Sequence, residues 1–236
     1  VILKLGGKSA NVVFTDADLT AAVQTTVFLA LAGMSGQGCV LPTRLLVQAD
    51  VFDEVIKLVV DMTNSIKVGR PFDQGVQAGP VITADACERI LRTIDDARTR
   101  GDGELCAGGH RIGGDLANGY FIEPTVFTDV DNTSPLAQEE VFGPVLSVVR
   151  FSDEDDAVAK ANDSAFGLGG LVFTNDVKRA HRLAGALEVG SVGVNAFAPM
   201  PPNVPFGGVK QSGYGREGGL AGVSEFLQPK NVYVGL

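Results

Sequence analysis

Short apolar runs alternate along this chain with longer stretches in which apolar side chains recur at the three-to-four-residue spacing of a helix. Residues 11–14, 44–48, 104–107, 125–127, 145–151, 168–173 and 189–195 are brief, apolar and bounded by turn formers, so they read as strands. Between them lie helical stripes. Val23, Val27, Phe28 and Leu31 share one face of a helix that starts near Ala17 or Asp18, with Thr15 and Asp16 placed to cap it, and runs to Gly33. Phe52, Val55, Ile56, Val59 and Val60 form a second stripe, and Cys87, Ile90, Leu91 and Ile94 a third. Ser152 or Asp153 caps a fourth helix, and Asp176 a fifth with the stripe Val177, Ala180, His181, Ala184 and Leu187. Strands buried on both sides and separated by helices predict an α/β fold, a mainly parallel open sheet with helices on both faces.

The two ends depart from that rhythm. Residues 1–5 read as the tail of a strand that stops at Gly6-Gly7, and residues 108–132 as long loops. Residues 223–234 alternate as an extended segment with Pro229 in the middle, which suits an edge strand. This divides the chain into residues 1–222 and an extended tail, 223–236, expected to pair with another subunit in a homo-oligomer.

Composition narrows the function. The 236 residues are 45% hydrophobic and 20% charged, with a net charge of −9 that repels a phosphate backbone, so no nucleic-acid partner is expected. No basic-then-apolar leader and no run of roughly 18 apolar residues stands out, which predicts a cytoplasmic protein without a membrane partner. Three cysteines, odd in number and without ligand spacing, and two histidines support neither a disulfide framework nor a metal site. The first residue is Val1 and the first methionine Met34, as in a processed product or a fragment.

The candidate chemistry lies in Gly33-Met34-Ser35-Gly36-Gln37-Gly38-Cys39. Three glycines let the backbone adopt positive φ and approach a ligand, and such a turn can aim a thiolate and its own N–H at one carbonyl. The competing reading of Cys39 is a small buried hydrophobe, and that reading is preferred for Cys87 and Cys106 on their apolar stripe and strand. His181 is likewise expected to be packed. Gly213 to Gly218 matches G-x-G-x-x-G but follows no strand, and Gly7-Lys8-Ser9 lacks the leading glycine of a phosphate loop.

Five ordered stretches resemble the aldehyde dehydrogenase superfamily, specifically its C-terminal catalytic half: Leu5-Gly6-Gly7-Lys8-Ser9, Gly36-Gln37-Gly38-Cys39, Glu139-Glu140-Val141-Phe142-Gly143-Pro144, Asn195, and the run from Pro205 to Gly213. The resemblance implies that residues 1–222 are a catalytic domain in which Cys39 attacks an aldehyde. It further implies NAD or NADP as hydride acceptor and hydrolysis of a thioester to a carboxylic acid. It assigns Glu140 to the nicotinamide ribose with Phe142 beside it, Phe206 and Asn195 to the substrate side, and Glu217 to the surroundings of the proton path. Two departures qualify the assignment. Where the family usually carries the water-activating glutamate this chain has Lys4, whose ammonium has no basic lone pair but would favour a thiolate nearby. The dinucleotide-binding domain and the asparagine of the oxyanion hole would precede Val1. An acylating, coenzyme A-dependent relative and an inactive assembly module are the alternatives.

Overall fold

In the computed structural model, which describes residues 1–197 and 201–236, the chain builds a seven-stranded sheet clothed on both faces. In chain order the elements are β1 (Leu3–Lys4), β2 (Ala10–Val13), α1 (Leu19–Val27), β3 (Arg44–Gln48), α2 (Phe52–Ser65), α3 (Ala84–Arg100), β4 (Glu104–Ala107) and β5 (Thr125–Thr128). Then come α4 (Pro135–Gln138), β6 (Val145–Phe151), α5 (Glu154–Asn162), β7 (Phe166–Gly167), β8 (Gly169–Phe173), α6 (Val177–Ala186), β9 (Ser191–Val194), β10 (Val209–Lys210), β11 (Gly213–Tyr214) and α7 (Gly219–Ser224). The sheet order is β4-β5-β6-β3-β2-β8-β9, parallel throughout except for the antiparallel edge strand β4. The expected fold is the observed one.

Strand alternation explains the two cores. Successive residues of a strand point to opposite faces, so Val12 and Leu46 join Ile90, Ile94, Leu136 and Leu183 on one side. Val13, Leu45 and Val47 meet Val23, Val27, Phe52 and Val59 on the other. Because both faces are covered, β2 and β3 can be apolar at nearly every position.

Local capping differs from expectation in an instructive way. Asp18, not Asp16, caps α1 by accepting from Ala21 N–H at 2.9 Å. Asp16 instead accepts from the Thr174 hydroxyl, the Asn175 and Asp176 N–H groups and Arg179, and so ties the end of β2 to the start of α6. Asp153 and Asp176 cap their helices as expected. The stripe of α6 is Ala180, Leu183 and Leu187; His181, one residue off it, faces solvent, because the helix turns about 100° per residue. The helix after Asp18 continues past Val27 through a π turn (Phe28–Ala32) and a 3-10 turn (Gly33–Gly36). The whole stretch Leu19–Gly36 is long and apolar enough to cross a membrane, a feature the run-based reading passed over; half of it is buried inside the fold, as befits a core helix.

The chain ends also differ. Val223 lies in α7, and residues 225–236 contain no strand, while Phe226, Tyr233 and Val234 are exposed. β1 stands outside the main sheet, in a two-stranded antiparallel pair with β11 from the opposite end of the chain.

Candidate active site

The turn before Cys39 is shaped by a break in the helix register. Of its three glycines only Gly36 takes a positive φ, 71°; Met34 and Ser35 adopt the left-handed region themselves, at 52° and 51°. The expectation that the glycines supply that geometry therefore holds at one position. A β-carbon on Gly36 would run into the backbone carbonyl of Gly143, so at this point the turn and the Glu139–Pro144 loop meet backbone to backbone. Side chains fix the turn from the other side. The buried Ser35 hydroxyl donates to the Gly79 carbonyl at 2.8 Å, and Gln37 Oε1 accepts from Ile82 N–H at 2.9 Å. Strain at two non-glycine residues is thus held by a surround that over-determines it.

Cys39 emerges from this turn half-buried, with its sulfur 3.1 Å from Lys4 Nζ. Among the described residues its backbone N–H donates to no protein group. The Lys4 ammonium also lies over the Phe206 ring, 5.5 Å from the centroid, a cation–π contact that directs it at the sulfur. Lys4 is positioned by its pairing with Gly213, and Leu5 N–H donates to the Ser212 carbonyl at 2.9 Å. The Ser212 hydroxyl, fully buried, donates to the Gly6 carbonyl at 2.7 Å and accepts from Gly167 N–H.

Gly6 and Gly7 form the backbone bridge of the site. Gly7 N–H donates to Glu140 Oε1 at 3.0 Å, and a β-carbon at Gly6 would intrude on that carboxylate. A β-carbon at Gly7 would meet the Cys39 carbonyl. No protein donor among the described residues reaches Glu140 Oε2. Phe142, at φ 51°, borders an open depression with Met34, Gln37, Pro80 and Ile82, on the same side of the nucleophile turn. Phe206, nearly buried, faces a cavity of about 230 Å³ with Val40, Leu171, Val192 and Phe197; neither Cys39 nor Lys4 lines it.

Cys39, Lys4, Phe206 and Glu140 are therefore joined by direct contacts or through Gly7. Asn195 is not. Its amide accepts from Thr174 N–H and donates to the Thr174 carbonyl, both at 2.9 Å, which occupies the side chain in clasping the end of β8. Glu217 is exposed and engages Phe206 only through paired backbone bonds at 2.7 Å. Cys87 is buried in the core, where burial pushes its thiol upward, and Cys106 is half-buried with a thiol raised for the same reason. Among the described residues no cluster could hold a metal.

Sequence reasoning overlooked a charged layer beneath the site. Arg44, fully buried on β3, donates to the Lys8, Lys160 and Ala161 carbonyls and to Asn132 Oδ1. Lys8, also buried, has an Nζ with no hydrogen-bond partner among the described residues; burial, and then the Arg44 charge, pull it down to about 7. Only the contrast between a charged side chain and an otherwise apolar strand start marked either residue in the sequence.

Comparison with known proteins places these features. The profile described as "Aldehyde dehydrogenase family" matches residues 1–232. Betaine aldehyde dehydrogenase of Brucella ovis is 44% identical over 234 residues, 99% of this chain and 48% of that protein. Betaine aldehyde dehydrogenase of Staphylococcus aureus, solved in complex with NAD+, superposes with a TM-score of 0.92 at 40% identity, covering 95% of this chain and 44% of that one. A variant of aldehyde dehydrogenase from Bacillus cereus gives a TM-score of 0.94 at 35% identity over 99% of this chain and 47% of that one. The chain spans about half the length of the curated relatives it matches.

Proposed function

Because this chain belongs to the aldehyde dehydrogenase family, we propose that it carries the nucleophile of an enzyme that oxidises an aldehyde to a carboxylic acid. The observation that supports this most is the meeting of Cys39, the Lys4 cation and, through Gly7, the Glu140 carboxylate. In this reading the Cys39 thiolate adds to the aldehyde carbon, and the donor groups of its own turn face the oxygen on which charge develops. Loss of hydride leaves a thioester on the sulfur.

Half of a nicotinamide cofactor fits the residues present. The Glu140 carboxylate is held by one oxygen against the Gly6-Gly7 backbone, and its second oxygen is left to accept from ribose hydroxyls, with Phe142 on the same loop. NAD or NADP, when bound, supplies the acceptor for the hydride. Groups for the adenosine half belong to the additional length seen in the relatives. Replacing Cys39 with serine in the complete enzyme tests the reading: oxidation should fall by several orders of magnitude, and unimpaired oxidation overturns it.

Lys4 shapes both rate and substrate. An ammonium beside the sulfur cannot activate water, so hydrolysis of the thioester is slow. The same charge repels a quaternary ammonium substrate by about 1 kcal/mol at 4 Å in water and more in a partly desolvated site. Although the relatives are named for betaine aldehyde, we propose a neutral or anionic aldehyde here. Lys4 also supports a second reading, acyl transfer to coenzyme A, which requires no water-activating carboxylate; acyl-CoA formation on adding CoA distinguishes it.

The assembly proposed is a homo-oligomer. Among the described residues β9 is an edge strand of the sheet, and the tail, residues 225–236, contains no strand and exposes Phe226, Tyr233 and Val234. Removing residues 225–236 should convert the oligomer to monomer in sedimentation. The cytoplasm, where free thiols persist, is the proposed compartment.

A further inference from the structure

Lys4 Nζ is the polar atom placed at the Cys39 sulfur, and it is an amine where a hydrolytic enzyme would need a carboxylate. We propose that Lys4 is an acylation site: an acyl group carried on Cys39 as a thioester passes to Lys4 Nζ and remains there as an amide. The proposal rests on the reading of Cys39 as an acyl-accepting nucleophile.

The transfer balances without any further reagent. The carbonyl carbon bonded to Sγ is attacked by the neutral Nζ, a C–N bond forms as the C–S bond breaks, and the sulfur leaves with the electron pair. The nitrogen loses one proton, which ends on the thiol or in solvent. An amide is far more stable than a thioester, so the exchange runs one way.

Geometry favours the amine over water. In the thioester the reacting carbon is one bond from Sγ, so a nitrogen 3.1 Å from that sulfur needs only rotation about the Cys39 side chain and the C–S bond to bring the carbon within the roughly 3–3.5 Å reach of a near-attack arrangement. Groups placed well behave as if present at about 10⁵ M or more, and a neutral amine is a far stronger nucleophile toward a thioester than water. Pairing with Gly213 and the Phe206 ring hold the lysine in place, so little rotamer freedom remains to be lost.

The 236-residue chain can be tested with p-nitrophenyl acetate, an activated ester that acylates thiols without any cofactor. With one equivalent of ester per chain, the expected result is a burst of one equivalent of p-nitrophenolate followed by one acetyl group on Lys4, resistant to neutral hydroxylamine and located by tandem mass spectrometry. Cys39→Ala should reduce Lys4 acetylation about tenfold or more, to the level of a surface lysine. Lys4→Arg, which keeps the cation but is not an acyl acceptor, should leave the acetyl group on Cys39 as a hydroxylamine-labile thioester. A burst whose acetyl group stays on Cys39 in the unmodified chain overturns the transfer while leaving the nucleophile reading intact. Equal Lys4 acetylation in Cys39→Ala also overturns it, because the sulfur is then not the donor. Absence of both burst and acetyl-Cys39 in the Lys4→Arg chain, with circular dichroism showing it folded, overturns the nucleophile reading and the transfer with it.

Discussion

Gly7 donates its N–H to Glu140 Oε1 at 3.0 Å while the space where a Gly7 side chain would sit is filled by the Cys39 carbonyl. One residue without a side chain thus couples the nucleophile loop to the carboxylate loop, and its smallness is the reason the two come together. Gly7→Ala forces a methyl group into that carbonyl and should cost about 1–3 kcal/mol as overpacking. Chemical denaturation measures the loss, and Cys39 alkylation by iodoacetamide should change rate at the same time; unchanged stability and unchanged labelling would show that the bridge is not tight.

Lys4 stands where the proposed mechanism calls for a base. Lys4→Glu, made in a complete enzyme, should raise steady-state NADH production at least about tenfold, within the range general-base catalysis supplies. Lys4→Gln, which removes the cation without adding a base, should not. Equal turnover in all three proteins would mean that deacylation is not the slow step.

The buried Lys8 makes stability depend on pH. Its folded value is about 7 against an ordinary 10.5, so between those values the unfolded chain holds one proton more than the folded one. Stability therefore rises with pH across this window, and below about 7 the penalty is present in full. Lys8→Met keeps the stem and removes the amine; it should stabilise the chain by a few kcal/mol at pH 6.5 or so and by much less near pH 10. Urea melts of both proteins at the two pH values read the difference directly, and parallel curves would refute it.

Asn195 was expected on the substrate side, and its amide is committed to Thr174. Asn195→Ala loses both bonds and leaves a non-glycine residue at φ 54°, for a cost of about 1–3 kcal/mol. Asn195→Gly, free of the backbone penalty, should lose less. Cys39 acylation rates in both variants should match the parent; a selective drop with one aldehyde or ester would return Asn195 to the substrate site.

Periodicity made the sheet legible because its strands are short and largely apolar and the helices α1, α2, α3 and α6 between them carry clear stripes, although β4 and β5 are joined by loop alone and β5 and β6 by the short α4. It misplaced His181 because a stripe written with both i+3 and i+4 members tolerates a one-residue error, and the helix does not. The nucleophile turn was visible from its glycines, yet two of its three left-handed residues proved to be Met34 and Ser35, in a turn fixed by bonds from Ser35 to Gly79 and from Ile82 to Gln37, partners far along the sequence. β1 was read as a strand tail, but its partner could not be foreseen, since two residues carry no pattern. Arg44 and Lys8 were hidden for a related reason: a buried charge is recognisable only when the carbonyls around it are known.

The pairing of Leu3 with Tyr214 and of Lys4 with Gly213 has a consequence for how the molecule comes into being. The lysine that faces the thiol is anchored by a strand that follows the whole sheet in sequence, so this clasp is a contact of very long loop closure and forms only once the intervening chain has been brought together. The partner of the sulfur is therefore set by tertiary closure and not by any local preference of residues 1–5.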